Sequence, residues 1–167
     1  MIFHVIFTAT VVAILVRLWR SRSDGLAASR VVKVSLFYLL TLQWGFGGAI
    51  TAIPHIVFPD PVAGSIGWEP GSPFQLELGF ASLGISLLGV LCIWIRGWFW
   101  LAPVVANSVF LLGAAYVHIM DIIERQNFAA GNAGAILFYD IAIPAIACSL
   151  FIAHVRLRGM DRADSRV

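Results

Sequence analysis

Five apolar runs separated by short polar connections constrain this chain more than any other feature: about residues 1–16, 34–58, 74–95, 98–123 and 135–155. Crossing the hydrocarbon core of a bilayer takes roughly 20 helical residues, and only the first run falls short. Composition agrees. The 167 residues are 60% hydrophobic, where soluble domains run at about 45–50% apolar, and a soluble domain of this size could not enclose the excess. The expected fold is an all-α integral membrane protein with five transmembrane helices, a single transmembrane domain over residues 1–167. Spans two to five should form a compact bundle with the first span added at its side. That first run lacks the basic leading segment of a signal peptide, and its arginines follow the apolar stretch, so it reads as an uncleaved anchor.

The basic residues set an orientation. Arg17, Arg20, Arg22, Arg30 and Lys33 lie in the first connection, Arg96 in the third, and Arg156, Arg158, Arg162 and Arg166 in the tail. With five spans these ten of the eleven cations share one side, expected to be cytoplasmic, with the N-terminus outside. Most acids fall the other way: Asp60, Glu69, Glu77, Asp121, Glu124 and Asp140, against Asp24, Asp161 and Asp164 inside. The net charge of +2 argues against a nucleic-acid partner, since the basic residues would have to form one patch and their positions in the sequence do not suggest one. Cys92 and Cys148 sit within apolar runs without metal-type spacing and read as small buried hydrophobes.

Small residues and turn-formers suggest the packing. Gly79, Ser82, Ser86 and Gly89 form a seam on one face of span three, and Gly45 to Ala49 ("GFGGA") offers the same to span two. The segment "FPDPVAGSIGWEPGSPFQ" is rich in Pro, Gly and Ser, so it should form turns rather than helix and cap the outer face. "RGWFW" leaves almost no slack, making spans three and four an antiparallel hairpin with interfacial tryptophans.

Helix rise then gives depths. His55 lies roughly 33 Å along a helix from Lys33, Glu77 roughly 28 Å from Arg96, His118 roughly 30 Å from Trp98 and Asp140 roughly 24 Å from Arg156. Four spans thus carry His55, Glu77, His118 and Asp140 to one level near the outer boundary, and Asp121 shares a helix face with His118. A carboxylate inside a span costs at least about 2.5–3.5 kcal/mol and normally has a partner. Imidazoles and carboxylates converging from facing helices are how bundles build metal sites. The expectation is a transition-metal site for iron, copper, zinc or manganese with His55, Glu77, His118, Asp121 and Asp140 as ligands. Asn127, Asn132 and Tyr139 would orient them. Several of these residues also have a plainer explanation. Glu77 suits the positive end of a helix; His118 could be an interface histidine bonded to a carbonyl; Asn127 and Asn132 could be left-handed turn residues. His4 and His154 lie at other span ends and receive no role.

"PHIVFPDPVAGSIGWEPGSPFQLELGFASLGISLLG", "GAAYVHIMD" and "NFAAGNAGAILFYDIAIP" resemble a family of small bacterial multi-pass inner-membrane proteins classed as a domain of unknown function. The resemblance covers about His55 to Pro144, with the GSPFQ-x-E and N-F-A-x-G-N-A-G strings as its most specific parts. It implies that His55, Glu77, His118, Asn127, Asn132 and Asp140 belong to the family pattern, and it transfers no activity. The expectation from the polar residues is an inner-membrane metalloprotein with its site near the outer face; if it is an enzyme, the candidates are an oxidoreductase acting on a small or lipophilic substrate and a metal-assisted hydrolase. The alternatives are a proton- or ion-coupled small-molecule transporter and a non-catalytic subunit of a larger membrane complex or homo-oligomer.

Overall fold

The computed structural model describes residues 2–164. Met1 and Arg166 lie outside the described residues, as do the side chains of Asp24, Asp161, Arg162 and Asp164. Every regular element among the described residues is helical. Helix α1 covers Ile2–Arg20, α2 Ala28–Tyr38, α3 Gly47–Val57, α4 Pro59–Ile66, α5 Phe74–Leu91, α6 Leu101–Arg125, α7 Ala130–Ala133 and α8 Ala135–Asp164. Five stretches are long and apolar enough to cross a membrane: Ile2–Arg20, Ala28–Val57, Phe74–Leu91, Gly97–Arg125 and Ala130–Arg158. Large apolar side chains exposed along α1, α5 and α6, such as Val5, Phe80 and Val109, form the surface that lipid would cover.

The second crossing is continuous from α2 to α3 but is wound as a π-helix over Leu39–Phe46. Such wide turns are rare and favour functional sites. Here the wide winding carries Gln43 and Trp44 into the interior. Small residues bring this crossing against α5, as their spacing suggests. A Cβ on Gly89 would collide with the Leu40 carbonyl, one on Gly45 would stand 2.9 Å from the Val90 backbone nitrogen, and one on Gly48 would strike Ser86 Oγ. Backbones this close gain dispersion contacts that bulkier side chains would prevent.

The bundle is built of two helix pairs. The second crossing packs chiefly on α5, α6 packs chiefly on α8, and α2 ties the pairs together by packing on α8. The apolar core, including Leu36, Leu40, Cys92, Trp100, Val104 and Ala147, fills the space between the pairs at the arginine-rich end. Helix α1 contributes little to it, with only Thr10 buried.

Three local expectations change. Helix α1 extends past residue 16 to Arg20, because Arg17 and Arg20 in its last turn are good helix formers and the chain turns only at Gly25, at φ 80°. The Pro-rich connection is not all turn. Pro59 sits in the first turn of α4, where a missing N–H costs nothing, and Gly67 at φ 83° ends the helix. In the connection after α6 the left-handed residue is Gln126, at φ 54°, and neither asparagine adopts that conformation.

Candidate functional site

Away from the apolar core the two helix pairs diverge around a cavity of about 460 Å³. Its wall comes from α1, the second crossing, α5, α6 and α8, and Val62 and Ile66 of α4 with Trp68 cover its His118 end. From Asn107 to His118, both on the wall, α6 rises roughly 16 Å. The cavity is therefore long and narrow. Polar residues stand at both ends, with His55, His118 and Asp140 at one and Gln43, Ser86 and Asn107 at the other; Ala52, Leu78, Phe110 and Ala114 lie on the wall too. Phe74, Gly113 and Val117 line it while being exposed, which places its mouth between α5 and α6. Gly113 lies midway along the apolar span of α6, so the mouth opens onto the apolar belt.

His118 is held by the connection that follows its own helix. Asn132 is fully buried and its Nδ2 donates to the carbonyl of Asn127 at 2.8 Å. That orientation turns Asn132 Oδ1 towards His118, whose Nδ1–H donates to it at 2.7 Å. The proton of neutral His118 is thereby assigned to Nδ1, leaving the Nε2 lone pair facing Asp140 Oδ2 across 3.9 Å. Two bare lone-pair atoms repel, and an O–H or N–H donor set beside both would relieve the contact. The gap exceeds a direct hydrogen bond, and a polar ligand atom set to one side of it could bond to both atoms at about 2.8 Å.

Asp121 lies behind this pair rather than in the cavity. It accepts from Trp68 Nε1 at 3.0 Å and Asn127 Nδ2 at 2.6 Å, and Arg125 approaches its other oxygen at 3.6 Å. Trp68 in turn stacks on the His118 ring with centroids 6.1 Å apart. Asn127 Nδ2 also donates to the Ile66 carbonyl, at 2.8 Å, which ties α4 to the end of α6. The network thus fixes the cover of the cavity and the face of the imidazole together.

The residues expected as ligands separate into three groups. His55, His118 and Asp140 line one cavity, with Tyr139 beside them. Asp121, Asn127 and Asn132 form the supporting network. Glu77 is exposed, on a face of α5 that also carries exposed Phe80, and Gln75 turns inward in its place. Gln75 is buried and accepts from His55 Nδ1 at 2.7 Å. Residues two apart on a helix differ by roughly 200° in direction, so both cannot face inward. Among the described residues no three His, Cys, Asp or Glu side chains gather closely enough to hold a metal ion, so the expected five-ligand metal centre finds no support there.

Two further side chains belong to the site although their spacing carried no signal. Trp68 reaches it from a connection, and His4, expected to stand apart, hydrogen-bonds Tyr139 Oη at 2.8 Å. Gln43 Oε1 and Trp44 Nε1 are buried with no hydrogen-bond partner, and both residues lie on the cavity wall.

Residues 1–160 match a family of unknown function, DUF6790, and the chain belongs to that family. No curated protein and no solved structure matches it.

Proposed function

We propose that this member of the DUF6790 family is a membrane-embedded binding protein for a small lipophilic molecule with a polar head. The molecule enters sideways from the lipid between α5 and α6 and sets its head against His118 and Asp140. The observation that carries this reading is the cavity itself, which is apolar along its length, polar at its ends and open onto the belt. Ligand sites have this character, mostly apolar walls with few placed polar groups. Leu36, Leu40 and Trp100 fill the bundle beyond the cavity, which supports binding and proton exchange over conduction through the molecule. With the His118 tautomer set by Asn132, a proton can pass between Nε2, Oδ2 and a hydroxyl or carbonyl of the ligand. That is the chemistry a proton-coupled carrier needs, and equally a redox reaction that moves protons. The cation distribution supports an orientation in a bacterial inner membrane with the His118 end outside and the arginine-rich end in the cytoplasm.

A second reading rests on the 3.9 Å between His118 Nε2 and Asp140 Oδ2, both within bonding reach of one ion. Iron, zinc, copper or manganese would then have two protein ligands, with the small molecule or water completing the shell.

One preparation tests both. Protein is purified in mild detergent without a His-tag or chelator, and its apolar extract and metal content are measured beside two variants. Ala114→Trp fills the cavity, while Val109→Trp makes a large change on a residue that is 70% exposed. A compound enriched in the wild type and in Val109→Trp but lost from Ala114→Trp is the expected result. Equal recovery from both variants would end the proposal. Stoichiometric metal lost in His118→Ala would favour the second reading.

A further inference from the structure

At the opposite end of the molecule a second cavity, of about 960 Å³, is lined by Arg17, Arg20, Arg30, Lys33, Arg96 and Arg158. These six come from α1, α2, the connection before α6, and α8, and no described carboxylate lines the hollow. Cations are expected at this end on topological grounds, since they determine orientation. Topology alone does not require them to converge. Long basic side chains on separated helices can fan out into water, where repulsion is weakest. Here they surround one concavity, and like charges facing each other across a hollow favour an anion within it.

Part of the site is held in place before any ligand arrives. The Arg96 guanidinium lies over the Phe37 ring at 4.4 Å and the Trp100 ring at 5.8 Å. Arg30 Nη1 donates to the Ser21 carbonyl at 3.1 Å. Trp100 is buried, stacks on His154 with centroids 5.3 Å apart, and lines the hollow with Phe37 and Tyr38. The result is an aromatic floor under a basic rim. Five of the six cations are arginines, whose planar, multiply donating heads match phosphate oxygens better than lysine does. Basic pockets between transmembrane helices bind anionic headgroups by this chemistry.

We propose that this hollow is a binding site for a phosphate group. Arg96 is its anchored element, and the other cations gather the remaining charge. The phosphate can belong to a phospholipid headgroup, whose glycerol and chains would follow the aromatic floor to the bundle surface, or to a soluble phosphate compound. The site is independent of the His118 cavity, and its test does not require that cavity to bind anything.

The test uses the full chain in neutral detergent. Thermal stabilisation and direct binding are measured with short-chain phosphatidylglycerol, short-chain phosphatidylcholine and inorganic pyrophosphate. Lys33→Gln and Arg96→Gln are compared with Arg156→Gln, which removes the same charge from an exposed position outside the hollow. The anionic lipid or pyrophosphate should bind, with affinity falling by about fivefold or more in Lys33→Gln and Arg96→Gln and by less than about twofold in Arg156→Gln. Saturable lipid binding that pyrophosphate does not displace identifies a headgroup. Pyrophosphate binding that competes with the lipid identifies a soluble phosphate as a sufficient ligand. Equal weakening in all three variants would mean diffuse surface charge and would overturn the proposal. So would phosphatidylcholine binding as tightly as phosphatidylglycerol while pyrophosphate fails to bind. Lys33→Gln keeps the test decisive if loss of the stacked Arg96 impairs folding.

Discussion

Asn132 is the residue on which the polar cluster turns. Its two ends do different work: Nδ2 satisfies the Asn127 carbonyl, and Oδ1 takes the Nδ1–H of His118. Replacing it by alanine leaves a buried donor and a buried acceptor unpaired, at a cost of about 1–3 kcal/mol. Asn132→Ala should therefore lower the melting temperature in detergent clearly. Glu77→Ala, on an exposed position without a network, should stay within about 0.5 kcal/mol of the wild type. Comparable losses in the two variants would show that Asn132 is not a keystone. Spacing and depth put His118, Asp140 and His55 at one level, and the structure places all three on the wall of one cavity. The role of Asn132 was harder to see. Asparagine in a Gly-rich connection equally suits a left-handed turn, and only the fold shows its side chain turned inward. Trp68 gave no sign at all, because a tryptophan near a membrane boundary has an ordinary explanation as an anchor.

At the scale of the helix, depth could be calculated while direction was harder to see. The difference decided Glu77. The seam of Gly79, Ser82, Ser86 and Gly89 marks the face of α5 that meets the second crossing, and four residues before Gly79 stands Gln75. Extending the seam backwards would have put Gln75 against His55 and left Glu77 on the outside, as the structure has it. The π-helical winding at Leu39–Phe46 has no comparable signature, since it depends on how the crossing fits α5. The seam itself makes a prediction with opposite signs at two glycines of one helix. At Gly89 a methyl group would meet the Leu40 carbonyl and the Gly45 backbone, neither of which can swing aside, so Gly89→Ala should destabilise by about 1–3 kcal/mol. At Gly84 a Cβ meets nothing within 4 Å, and the gain in helix propensity should make Gly84→Ala neutral or stabilising by up to about 1 kcal/mol. Unfolding of the two variants in the same detergent is the check. A harmless Gly89→Ala would mean that the two helices stand farther apart than described.

Across the whole molecule the two ends have opposite chemistry. One is a network of neutral amides, imidazoles and carboxylates around an apolar cavity, the other a hollow ringed by cations, with packed Leu36, Leu40, Cys92 and Trp100 between them. Five crossings put the two termini on opposite sides, so a single observation orients every element. The cation count argues for the basic hollow on the cytoplasmic side, because transferring a cluster of arginines across the membrane is the unfavourable step in insertion. Cysteine reporters test this directly. Cys92 is buried and Cys148 partly so, and replacing both by alanine supplies a silent background. In that background Glu124→Cys, at the end of α6, should react with a membrane-impermeant maleimide applied to intact cells. Arg156→Cys should react only after the membrane is opened. Both positions are exposed, so neither result can be blamed on burial. The reverse pattern would turn the molecule over. The phosphate site would then face the exterior and the mouth near His118 the inner leaflet. Labelling at both positions in intact cells would be incompatible with five crossings, because α6 and α8 would then end on the same side.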